Sequence, residues 1–92
     1  MKYVLTWFVP PHHYDAGISR FLKTGGPPPA GVKLLGRWHS LAGQSGFILA
    51  ESSDPKAIYT WSAEWADVIK LTVTPVIEDA DASGVLQGLR KK

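Results

Sequence analysis

Cysteine is absent from the 92 residues. Disulfides, thiolate zinc sites, iron–sulfur clusters and cysteine nucleophiles are therefore excluded within the chain. Charge is scarce as well: charged residues fill 20% of positions, ten Lys and Arg against eight Asp and Glu. Three of those cations are the terminal Arg90-Lys91-Lys92, which leaves the body with seven cations against eight acids. Such a body has no basic excess to draw nucleic acid or an anionic membrane surface. Long apolar runs are missing too, and none approaches the ~20 residues of a membrane span. Tyr3–Val9 follows Met1-Lys2 like the start of a leader, but it meets Pro10-Pro11 without a small-residue cleavage site. A cytoplasmic protein is expected, with no membrane and no nucleic acid among its partners.

What remains is an ordinary globular balance, 45% apolar, in a length that suits one small domain spanning residues 1–92. A chain of this size buries roughly 60–65% of its unfolded surface, enough for one modest core. Tyr3 to Val9 is aromatic and β-branched and stops at two prolines, which predicts a strand. Tyr14, Ile18, Phe21 and Leu22 then fall on one helical stripe, ended by Gly25-Gly26 and a stiff Pro27-Pro28-Pro29 connector. Val32 to His39 alternates, with Val32, Leu34, Gly36 and Trp38 on one face and Lys33, Leu35, Arg37 and His39 on the other. Phe47 to Glu51 reads as the returning strand of a hairpin. Ser53 or Asp54 can cap a second helix whose stripe is Ile58, Trp61 and Trp65, with Ala57 alongside. Val68 to Ile77 is a last strand, and Pro75 in it argues for a sheet edge or an irregular end. From Asp79 a short helix carries the seam Ala82, Val85, Leu86 and Leu89, with acids at its start and bases at its end. Its two glycines, Gly84 and Gly88, each cost about 1 kcal/mol of helix propensity, so it needs something to pack on.

The order β-α-β-β-α-β predicts an α+β, ferredoxin-like fold: a four-stranded antiparallel sheet with two helices on one face. The βαββαβ core takes residues 1–77 and the short C-terminal helical segment 78–92. Two helices cover only one side of a sheet. The first strand is apolar on both, with Tyr3, Leu5, Trp7 and Val9 opposite Val4 and Phe8, and the third sets Phe47 and Leu49 opposite Ile48 and Ala50. A homodimer packed through the sheet face is the expected remedy.

Several motifs point to a family. Met1-Lys2-Tyr3 with Trp7-Phe8, Pro29-x-Gly31-Val32, Trp38 and Gly46-Phe47-x-Leu49-x-Glu51 come first; Asp54, Trp61-x-x-x-Trp65-x-Asp67 and Val73-x-Pro75-Val76 follow. Over residues 1–77 the chain resembles a bacterial family of uncharacterised small domains in the dimeric α+β barrel superfamily. That superfamily holds cofactor-independent monooxygenases, haem-degrading enzymes, muconolactone isomerases and stress-responsive proteins, so the resemblance implies a scaffold rather than an activity.

Candidate chemistry is thin. His12-His13 invites a metal, but the best pair at helical spacing, His12 with Asp15, is still one ligand short, so no metal and no cofactor are expected. Gly25-Gly26 followed by prolines lacks the N–H donors of a phosphate cradle. Gly43-Gln44-Ser45-Gly46 is not a nucleophile elbow, and no carboxylate spacing demands a dyad. The third strand lacks the aromatic platform of an RNA-recognition motif. Four tryptophans in so small a domain are the unusual feature. Trp7, Trp38 and Trp61 are candidates to line a pocket for a small apolar or aromatic ligand between sheet and helices, against the plainer reading that they only fill the core. His39 is the one candidate base should the domain be a monooxygenase- or isomerase-type enzyme, and alternation places it on the solvated or dimer-facing side. Haem is a further ligand to weigh, although no histidine is marked as its axial ligand.

Overall fold

A computed structural model describes residues 1–91. Four strands of seven residues each, β1 (Lys2–Phe8), β2 (Lys33–His39), β3 (Ser45–Glu51) and β4 (Lys70–Val76), form one antiparallel sheet in the order β2-β3-β1-β4. Helices α1 (Tyr14–Thr24) and α2 (Pro55–Trp65) occupy the two crossovers, and α3 (Asp79–Arg90) follows the last strand. This is the expected ferredoxin-like βαββαβ arrangement with an appended helix. A 3-10 turn at Pro11–His13 leads into α1, because Pro10 and Pro11 cannot extend the ladder. Pro75 lies on β4, an edge strand, the part of a sheet where proline is tolerated.

Local chemistry sets the helix ends. The Asp54 carboxylate accepts from Lys56 N–H at 3.0 Å, and Pro55 opens α2 behind it. Gly25 ends α1 in the left-handed conformation, φ 78°, with its N–H donating to Phe21 O at 2.7 Å. Buried Ser52 ties the hairpin exit to the proline connector by donating to Gly31 O at 2.7 Å.

The core lies between the sheet and α2. Tyr3, Leu5, Ile48 and Ala50 from the two central strands meet Ile58 and Trp61 of α2, and all are buried. The first helix departs from its sequence pattern. Gly17 is its only buried residue, close against Val9, while Leu22 stays 76% exposed. A glycine carries no hydropathy signal, so the inward face is rotated from the one that counting apolar residues selects.

One strand also reverses its expected faces. Between Leu34 and Gly36 the β2–β3 register shifts: Leu34 pairs with Ala50, whereas Gly36 pairs with Leu49, Arg37 with Ile48 and Trp38 with Phe47. An extra residue in one strand exchanges the faces beyond it. Arg37 and His39 therefore turn toward the helices, and Trp38 turns to the uncovered face.

That uncovered face is apolar at its centre. Phe8, Trp38 and Phe47 are about half exposed, and Trp38 stacks on Phe47 with centroids 5.0 Å apart. Helix α3 buries none of its residues, and Val85, Leu86 and Leu89 stand open. The Lys2–Glu78 ion pair ties down its start. Beyond that the helix extends from the body, which explains a radius of gyration of 15.9 Å where about 12 Å suits a compact chain of this length. No helix among the described residues is long and apolar enough to cross a membrane.

Candidate functional site

A cavity of about 250 Å³ opens between the sheet and the helices. Its floor is Leu5 and Trp7 of β1, Ile48 of β3 and Leu71 of β4. Tyr14, Ile18 and Phe21 of α1 form one wall, and Trp61 and Trp65 of α2 the other. Gly17 brings the α1 backbone close to Val9, while Tyr14, Ile18 and Phe21 stand around the space rather than fill it.

Of the four candidates from the sequence, Trp7, Trp61 and His39 line this cavity. Trp61 is 4% exposed and belongs to the core as well as to the wall. Trp7 is half-buried, and its indole crosses Gly46, where any side chain would collide with the ring. Trp38 does not reach the cavity. It is 50% exposed on the opposite face, lying across Gly36, and edges only a shallow depression there. The expected facing of His39 is likewise corrected. Its imidazole stands at the cavity rim, edge-on to Trp7 at 5.2 Å and to Phe21 at 5.5 Å. Both corrections have the same cause, the β2 register shift.

Arg37, Tyr14 and Phe21 complete the site and were not singled out in the sequence. Glycine inside a strand is a bulge signal, and Gly36 was the clue that could have turned Arg37 inward. The Arg37 guanidinium donates to Gly26 O at 2.6 Å and Gly25 O at 2.9 Å, and lies over the Phe21 ring at 5.1 Å. Burial pulls its pKa below the ordinary arginine value. At neutral pH it remains a cation.

The other arginine of the body is engaged away from the cavity. Arg20 forms a two-pronged pair with Asp67 and donates to Glu64 O at 3.0 Å, tying α1 to the end of α2. Its guanidinium holds the Asp67 carboxyl below the usual range, through hydrogen bonding first and charge second. The His12 and His13 rings lie tilted against each other on the entry turn, centroids 4.1 Å apart. Among the described residues no three His, Asp or Glu side chains converge as metal ligands. Haem is poorly matched by size: about 150 Å³ of apolar cavity holds one benzene, so the present volume suits one or two fused rings.

A family model described as Domain of unknown function (DUF3303) matches residues 1–90. The chain belongs to that family. The DUF3303 match continues past residue 77 into α3, further than the motifs alone extend. No curated protein matches the chain. Among solved structures it is similar to Rv0793 from Mycobacterium tuberculosis, at 14% identity and a TM-score of 0.49, covering 86% of this chain and 97% of that one. It is also similar to a protein from Deinococcus radiodurans provisionally named as an antibiotic biosynthesis monooxygenase, at 11% identity and a TM-score of 0.47, covering 85% and 94%. A third similar structure is an uncharacterized NIPSNAP domain protein from Burkholderia xenovorans, at 9% identity and 0.46, covering 86% and 97%.

Proposed function

We propose that this DUF3303 domain is a homodimeric binding module that holds a small flat apolar molecule between its sheet and helices. The cavity walled by Trp7, Trp61 and Trp65 carries the reading. Indole faces offer a flat ring large contact area at little entropic cost, and the volume is about that of a bicyclic ligand. Calorimetric titration with 2-naphthol should give saturable binding, one site per chain, with a negative heat-capacity change. Ile18→Trp, which fills the space from α1, should abolish the heat while leaving the fold intact. Absence of saturable heat in the parent protein would overturn the reading.

The uncovered sheet face supports the homodimer. Four strands about 4.8 Å apart and seven residues long give a flat projection of roughly 440 Å², against about 800 Å² per partner in a stable interface. Side-chain relief adds to that flat figure, and the seam of α3 is further apolar area left uncovered within one subunit. A second copy is the occupant whose own apolar face needs the same cover.

A second, enzymatic reading rests on His39. Its ring stands at the rim beside Trp7 and Phe21, where it could take a phenolic proton from a bound ring and leave an electron-rich anion for reaction with dioxygen. Oxygen uptake with a naphthoquinol should then fall about 10²-fold or more in His39→Ala. Equal uptake in both proteins removes that mechanism and leaves the binding reading standing.

A further inference from the structure

We infer that the ligand of this cavity is an aromatic anion, a flat one- or two-ring carboxylate or ionised phenol whose oxygen is held by the Arg37 guanidinium. The inference rests on the cavity reading above and adds the charge of the occupant.

Arg37 is the only lysine or arginine among the described residues lining the cavity, and no Asp or Glu lines it. The two ion pairs described, Lys2–Glu78 and Arg20–Asp67, lie elsewhere and use other cations. Arg37 is held instead by two neutral carbonyls, Gly25 O and Gly26 O. These satisfy two of its five N–H donors and fix the plane of the guanidinium without cancelling its charge. The cation is thus half-buried, oriented and electrostatically unanswered, beside apolar walls that lower the local dielectric. Burial is the sole cause of its lowered pKa, as expected where no acid opposes the desolvation.

Each class of occupant changes that balance differently. A neutral ring would strip more water from the guanidinium and return at most a neutral acceptor, with no opposite charge. A ring carrying an oxyanion would replace that water with charge-assisted hydrogen bonds, while its flat body rests against Trp7 and Trp61. Phe21 beneath the cation and His39 at the same rim leave the anionic end nearest the opening and the hydrocarbon end inside. An aliphatic anion such as acetate would reach Arg37 but forgo the indole contacts.

The test compares 2-naphthoate with its neutral near-isostere 2-naphthamide by tryptophan fluorescence and calorimetry. The parent protein should bind 2-naphthoate at least about tenfold more tightly, since only the carboxylate sets an opposite charge and two acceptor oxygens against the guanidinium, whereas the amide offers one neutral carbonyl. Acetate should not compete at equal concentration. Arg37→Gln should lose the preference while still binding 2-naphthamide, and Arg37→Lys should recover part of it. Arg37 also anchors the Gly25-Gly26 loop, so the comparison of the two ligands on the unaltered protein decides the matter if Arg37→Gln is misfolded. Equal or tighter binding of 2-naphthamide overturns the charge inference and leaves the cavity reading intact. Binding of neither compound overturns both.

Discussion

Trp61→Ala is expected to lower the unfolding free energy by about 3–5 kcal/mol, a large part of the 5–15 kcal/mol that a domain of this kind possesses. Trp61 is the largest side chain of the buried cluster, at 4% exposure, and it joins α2 to Leu5 and Ile48 on the central strands. Removing its indole takes away apolar burial and also enlarges the existing cavity beside it, which cannot collapse while the sheet holds its shape. Urea denaturation at one fixed protein concentration reads the effect, since dimerisation would couple stability to concentration. Trp38→Ala supplies the contrast. Its ring is half exposed on the other face, so in the isolated subunit it should cost much less. A loss below about 1 kcal/mol for Trp61→Ala would mean that α2 does not dock on the sheet through this residue.

Phe47→Lys is expected to convert the protein from a dimer to a monomer at micromolar concentration. Phe47 stacks with Trp38 at the centre of the uncovered sheet face and is 46% exposed. A two-fold interface would meet the new cation twice, with an ammonium forced into apolar surroundings on each side. Sedimentation should give twice the 10.0 kDa chain mass for the parent and the single mass for the variant. Leu22→Lys is the control: Leu22 is an exposed apolar residue on α1, away from the sheet face, and its change should leave the mass doubled. A parent that sediments as a single chain, or a Phe47→Lys protein that stays dimeric, would remove the sheet-to-sheet assembly.

Helix α3 shows how far pattern can go. Its seam at Ala82, Val85, Leu86 and Leu89 and its charged ends were visible in the sequence, and the helix forms over Asp79–Arg90. Pattern marks it as a helix in need of a surface. Within one subunit it finds none, and its apolar residues remain in water. Periodicity reports which face of an element is apolar, never what covers it.

The sequence by itself determined the βαββαβ order, the faces of β1 and β3 and the buried stripe of α2. Each of these is written in local periodicity, in proline, or in a capping residue, and each is fixed by neighbours a few positions away. Only the tertiary structure decided which side of the sheet receives Trp38, Arg37 and His39. That outcome hangs on one surplus residue in β2, whose cost and benefit depend on the register with β3, strand against strand, rather than on anything within the strand. The same holds for the cavity: it is the space left when a glycine of α1, not its leucine, meets the sheet. Packing between distant segments made that choice, because volume is conserved across an interface and not along a chain.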